Sequence, residues 1–185
     1  MAHAARKHGM TAEELFIIAG DSDKCELVDG ALVRMPPTGG VHGKVALRIG
    51  RLLDEYVEAH DLGVVCGAET GFILQRDPDV VRAPDVSFVA KTRIPVAGAP
   101  DSYWSIAPDL VVEVVSPNDR QAEVQQKVAE YFAAGARLVW VVDPATRTVC
   151  VHRSAADVCT LADDAVLTGN GVLPEFSCPV HRCFD

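Results

Sequence analysis

The passage from residue 109 to residue 142 constrains the fold most, because it places an amphipathic helix between two apolar strands. The second strand, Leu138–Val142, is short, rich in valine and apolar at every position, which is typical of a central strand covered on both faces. The helix over residues 119–134 carries an apolar stripe made of Val124, Val128, Tyr131 and Phe132, and Gly135 closes it. This order predicts one parallel crossover within a mixed sheet.

The rest of the chain supplies two more helices and several strands. Thr11 and Glu14 form a capping-box pattern before a first helix over residues 12–19, with Gly20 at its end. Asp29-Gly30 between two apolar runs predicts a hairpin over residues 26–33. A second helix is predicted over 42–59, and strands over 64–66, 70–74, 85–90, 148–152 and 157–161. We therefore expect one domain over residues 1–185, of α/β or mixed α+β class, with residues 1–10 disordered.

The net charge of −9, from 17 Lys and Arg against 26 Asp and Glu, argues against a protein that coats nucleic acid. Basic residues are nevertheless concentrated between Arg34 and Leu53, a segment without any acidic residue. Within it Lys44, Arg48 and Arg51 share one face of the second helix. That face could contact backbone phosphates, or it could be a solvated helix face.

The sequence contains no apolar run long enough to span a bilayer and no signal-peptide core, which predicts a cytoplasmic protein without a membrane partner. Its six cysteines include no C-x-x-C pair, so we expect free thiols. Cys178 and Cys183 flank His181, but a single cluster of this kind is a weak zinc signal.

Two acidic residues stand where apolar ones are expected. Glu113 lies among valines in the strand that begins near Asp109, and Asp85 opens the strand that follows Ala83-Pro84. A buried carboxylate is costly unless it is paired or bound to a metal, and two on neighbouring strands could hold Mg²⁺. Alternatively, Glu113 faces solvent and Asp85 caps a turn.

Three further polar residues are candidates for the same site. Lys127 borders the apolar stripe of its helix and could reach over the sheet toward the acids, or extend along the surface into solvent. His42 opens the second helix on its core-facing side, and Glu26 starts the hairpin. Each of these two could equally be structural.

Several segments, in their order and spacing, resemble the Uma-two family of restriction endonucleases within the PD-(D/E)XK nuclease superfamily. The resemblance runs from about Thr11 to the end of the chain. It is carried by the helix opened by His42 and by the segments 26–30, 82–89, 108–117, 127–131 and 139–144.

The resemblance implies a restriction-endonuclease-like core, a mixed central sheet flanked by helices, and assigns roles to the acids. Asp85 matches the first metal-binding Asp and Glu113 the second acid. The superfamily's lysine two positions later is Val115 here, so Lys127 would substitute for it. Glu26 and His42 match polar positions near the site, where either would assist catalysis as a base or as a secondary metal ligand, and Glu69 is a weaker candidate.

The implied activity is Mg²⁺- or Mn²⁺-dependent hydrolysis of phosphodiester bonds in nucleic acid, with DNA as the expected substrate and a homodimer as the expected assembly. The alternative is a nuclease-fold binding or scaffold module without turnover, acting as a dimer or with a partner protein. Geometry discriminates between them: the nuclease interpretation requires Asp85 and Glu113 to lie close together and Lys127 to point toward them.

Overall fold

A computed structural model describes residues 9–18 and 24–185. The predicted disorder of residues 1–10 and the helix end at Gly20 fall largely outside the described residues. The helices are α1 (Ala12–Ile18), α2 (Gly40–Ala59) and α3 (Gln121–Ala133). The strands are β1 (Cys25–Val28), β2 (Ala31–Arg34), β3 (Gly63–Gly67), β4 (Phe72–Gln75), β5 (Val80–Arg82), β6 (Val86–Ala90), β7 (Leu110–Val114), β8 (Leu138–Asp143), β9 (Thr148–His152), β10 (Val158–Leu161), β11 (Val166–Thr168) and β12 (Ser177–Pro179).

The main sheet has six strands in the order β10-β9-β8-β7-β6-β3. β7 and β8 pair in parallel and α3 connects them, which confirms the predicted crossover, while the other pairs are antiparallel. Both faces of the central strand β8 are covered. Trp140 packs into the core beneath α2, and Val139 packs against α3 on the opposite face. The mixed α and β class predicted from the sequence is confirmed.

A smaller sheet, β2-β1-β5-β4, packs beside the main one. Its predicted hairpin turns at Asp29 and Gly30, whose φ angles of 51° and 74° are those a two-residue hairpin turn requires. The sequence did not predict β5, because three residues are too few to show a period. α1 covers this sheet by packing Leu15 against Leu27 and Val81.

The two longer helices lie on opposite faces of the main sheet, and the chain end completes the core. Val45, Ile49 and Leu53 of α2 pack on one face together with Leu173 and Phe176 of the C-terminal segment. None of the helices in the described ranges is both long and apolar enough to cross a membrane.

Candidate functional site

The antiparallel register of β6 and β7 brings the two unusual acids together. Val86 pairs with Val112, so extending the register by one residue places Asp85 opposite Glu113. Opposite residues project to the same face with Cβ atoms about 5 Å apart. Asp85 is 5% exposed and Glu113 is 9% exposed. The alternative in which Glu113 faces solvent is therefore wrong.

Asp85 is held by donors from three separate elements. His42 Nε2 lies 3.1 Å from Oδ2, Lys24 Nζ lies 3.3 Å from Oδ1, and the Val114 amide donates to Oδ2 at 2.8 Å. Burial alone would raise the pKa of Asp85, but the His42 hydrogen bond and the Lys24 charge outweigh burial and lower it. The same hydrogen bond raises the pKa of His42 against the effect of burial. Asp85 is thus an ionised carboxylate in a fixed orientation.

Glu113 has the opposite electrostatic character. Burial raises its pKa, and the negative charges of Asp85 and Glu26 add to this effect, while the Lys127 charge offsets it only in part. The Tyr131 hydroxyl donates to Oε1 at 2.6 Å, and Lys127 Nζ lies 3.5 Å from Oε2. The Asp85 charge thus disfavours the ionised form of Glu113, and a cation bound beside both carboxylates would relieve this repulsion.

Lys127 points inward from α3, as the nuclease interpretation requires. Only 16% of its side chain is exposed, and Nζ lies 3.2 Å from Glu26 Oε1 as well as near Glu113. Burial would lower the pKa of Lys127, but the charges of Glu113 and Glu26 prevail and raise it. The alternative of a lysine extending along the surface into solvent is wrong for this residue.

Glu26 lies behind this lysine in a network that the sequence analysis missed. It is fully buried and accepts from Arg82 Nη1 at 2.8 Å and from the Ala83 amide at 3.2 Å. Arg82 also donates to Glu130 Oε2 at 2.6 Å. Burial alone would raise the pKa of Glu26, but the Lys127 and Arg82 charges lower it. Arg82 follows Val80-Val81 and precedes Ala83-Pro84, so it is a charged residue in an apolar stretch. The same feature identified Glu113 in the sequence.

A cleft of about 690 Å³ opens beside Asp85, on the α2 side of the site. Asp85, His42, Lys24 and Glu69 are among its lining residues, whereas Glu113, Lys127 and Glu26 are not. The three residues of the predicted basic face of α2 do not all reach the cleft. Arg51 lines it, but Lys44 and Arg48 do not. Lys44 donates to the Phe184 carbonyl at 3.0 Å instead.

The donor set suits a hard divalent cation better than zinc. Mg²⁺ and Mn²⁺ accept one or two carboxylates and complete their coordination with water and phosphate oxygens, which Asp85 and Glu113 allow. Across residues 9–18 and 24–185, no group of three or more His, Cys, Asp or Glu side chains is placed to hold a metal. Cys178 and Cys183 are buried free thiols, so the weak zinc signal around His181 finds no support.

Comparison with known proteins gives matches over most of the chain. The family model Uma2, described as "Putative restriction endonuclease", matches residues 12–181. Among solved structures, the chain is similar to that of "a putative nuclease belonging to DUF820 from Anabaena variabilis ATCC 29413", at 21% sequence identity and a TM-score of 0.77. This match covers 86% of the present chain and 89% of the other, and it shows a shared fold. No curated protein matches.

Proposed function

Because the chain belongs to the Uma2 restriction endonuclease family, we propose that it is a metal-dependent endonuclease that hydrolyses phosphodiester bonds of DNA. One observation carries the proposal: two buried carboxylates, Asp85 and Glu113, sit opposite each other beside the Lys127 ammonium. The two acids would hold Mg²⁺ or Mn²⁺. When bound, the cation would activate a water and stabilise negative charge on the phosphate.

In this proposal Lys127 supplies a fixed positive charge beside Glu113. Its raised pKa keeps it protonated at neutral pH, and Glu26 and Glu113 restrict its position. A preorganised cation of this kind stabilises the charge that develops in the transition state. In the superfamily the lysine stands two positions after the second acid, which is Val115 here. Val115 packs in the apolar cluster beneath α3, so Lys127 takes the role of that lysine in this proposal.

His42 and Glu26 act as positioning residues in this proposal. His42 Nδ1 is buried with no hydrogen-bond partner among the described residues, so the ring directs its Nε2 proton at Asp85. Glu26 uses both of its oxygens to hold Arg82, Lys127 and the Ala83 amide. The ion pair with Asp85 fixes the orientation of the His42 ring, and the three donors engage both oxygens of Glu26.

Contact with nucleic acid is expected to be weak and sensitive to salt. The net charge of −9 disfavours tight non-specific binding. Arg51 lies on the cleft and Arg48 neighbours it on α2, so these two are better placed than Lys44 to meet a phosphate backbone. The homodimer stays a prediction.

A catalytically inactive nuclease-fold module is the second candidate. The observation that favours it is that both carboxylate oxygens of Asp85 already have partners. These partners are Lys24, His42 and the Val114 amide. A cation would have to compete with Lys24 for Oδ1. Under this alternative the protein binds nucleic acid or a partner without cleaving it.

The test is a cleavage assay on several nucleic acids with Mg²⁺, Mn²⁺ or EDTA, using wild-type, Glu113→Gln and Glu123→Gln. Glu123 is a matched control because it carries the same side chain at an exposed position of α3. We expect metal-dependent cleavage that Glu113→Gln abolishes and Glu123→Gln retains. Equal activity of both variants would identify a contaminant, and binding without cleavage by the wild type would favour the inactive module.

A further inference from the structure

The cleft beside Asp85 has apolar walls, although it adjoins a charged site. Residues from the segment after β2, from α2 and from β3 form these walls, namely Met35, Pro36, Pro37, Ala46, Leu47 and Val65. Leu47 is 76% exposed, which is unusual for a leucine next to a proposed phosphate-cleaving centre. The volume of about 690 Å³ is typical of pockets that enclose a small organic molecule.

The charged groups around the cleft are complementary to a nucleotide. Lys24 and Arg51 supply positive charge for a phosphate. Asp54 and Glu69 are exposed carboxylates that also line the cleft, where they would repel a phosphate but accept hydrogen bonds from amino groups. The exocyclic amino groups of cytosine and adenine are such donors.

From these features we infer that the cleft binds one unpaired nucleotide of the substrate, with its base against the apolar wall and its phosphate toward Lys24 and Arg51. The inference rests on the proposed nuclease function and narrows its substrate to single-stranded or locally unpaired nucleic acid. A paired base keeps its faces stacked inside the duplex, so it can enter the cleft only after extrusion, which has a free-energy cost. Unpaired strands avoid that cost.

The experiment measures equilibrium binding of oligonucleotides carrying 2-aminopurine, single-stranded or in a duplex, without metal. Leu47→Glu places a negative charge on the apolar wall. Val41→Glu is its matched control, because Val41 is 65% exposed on the same helix but does not line the cleft. Gly43→Leu fills the cleft without a charge, since a Cβ at Gly43 meets no atom within 4 Å. Gly40→Leu is its control, because a Cβ at Gly40 also meets no atom within 4 Å but Gly40 does not line the cleft.

We expect the wild type to bind the single strand at least about tenfold more tightly than the duplex, equivalent to about 1.4 kcal/mol. Leu47→Glu and Gly43→Leu should each weaken single-strand binding by at least about tenfold, and the controls by less than about twofold. Circular dichroism melting of each variant separates loss of binding from loss of fold. If one of the two cleft variants does not fold, the comparison of the other with its own control still tests the inference.

Binding and cleavage together distinguish this inference from the proposed function. The expected binding pattern without cleavage of any substrate would overturn the nuclease proposal and leave the nucleotide site intact. Equal or tighter duplex binding, or cleft variants that bind like their controls, would overturn the inference even if the wild type cleaves DNA. Failure of the wild type to bind the single strand would also overturn it.

Discussion

Replacing Arg82 with methionine tests whether the buried charge network supports both the fold and the site. Methionine keeps much of the length of the side chain but removes both hydrogen bonds, to Glu26 at 2.8 Å and to Glu130 at 2.6 Å. The bond to Glu130 joins Arg82 of the small sheet to α3, whereas Glu26 lies in the same sheet as Arg82. Among the described residues, loss of the arginine leaves only Lys127 and the Ala83 amide as partners of the fully buried Glu26 carboxylate.

The expected loss follows from the burial of this pair. The side chains of Arg82 and Glu26 are 6% and 0% exposed, so solvent screens their interaction very little. Removing one partner of a buried ion pair costs up to about 3–5 kcal/mol, and here the buried Glu26 carboxylate would keep Lys127 as its remaining cationic partner. Domains of this kind are stable by about 5–15 kcal/mol, so Arg82→Met should lose a large part of the free energy of unfolding.

Urea denaturation followed by circular dichroism measures this loss. The double variant Arg82→Met/Glu26→Gln should recover part of it, because the neutral amide removes the buried charge that has lost its arginine partner. The control Arg51→Met breaks an exposed pair with Glu55 and should cost less than about 1 kcal/mol. A loss below about 1 kcal/mol in Arg82→Met, or a double variant less stable than the single one, would refute the reasoning.

The pH dependence of Arg82→Met gives a second check. The lowered pKa of Glu26 stabilises the wild type above the ordinary carboxyl pKa of 4.5, and this stabilisation is lost as the pH falls through the folded-state value. The deficit of the variant should therefore shrink in acid. A deficit that stays constant from neutral pH to the acid limit would contradict an electrostatic origin.

Two further perturbations address single groups. Tyr131→Phe removes a hydrogen bond that lowers the pKa of Glu113, so the acid limb of the pH–rate profile should move to higher pH; an unchanged limb would show that Glu113 does not control it. His152 is buried and burial lowers its pKa, so its folded form resists protonation and stability should fall as the pH drops below the ordinary value of 6.5. His152→Leu should flatten that part of the curve in thermal melts, and equal slopes would exclude His152 as the cause.

Local features of the sequence predicted local structure well. The Thr11 and Glu14 capping box forms both of its hydrogen bonds, at 2.8 and 3.2 Å, and Gly135 ends α3 with a φ of 102°. Such motifs involve residues three or four positions apart, so their geometry depends little on the remainder of the chain. Strand β5 was missed because its burial comes from neighbouring strands and not from a pattern of its own.

The candidate site was predicted in part. Glu113 and Asp85 stood out because acids in apolar strands are costly, and this reasoning applies to any buried charge. Lys24 and Tyr131 gave no such signal, since Lys24 lies just before β1, outside any predicted element, and Tyr131 fits an apolar stripe. Lys44 was assigned to a phosphate-binding face, yet it bonds to Phe184, 140 positions away.

By itself, the sequence determined the helices, the hairpin, the parallel crossover and the two acids that could not be ordinary surface residues. These follow from periodicity, turn chemistry and the cost of burying charge. Only the tertiary structure decided which polar groups meet. Glu26 and Lys127 lie 101 positions apart and Arg82 and Glu26 lie 56 apart, so their contacts arise from sheet register and helix placement, which no local pattern of residues encodes.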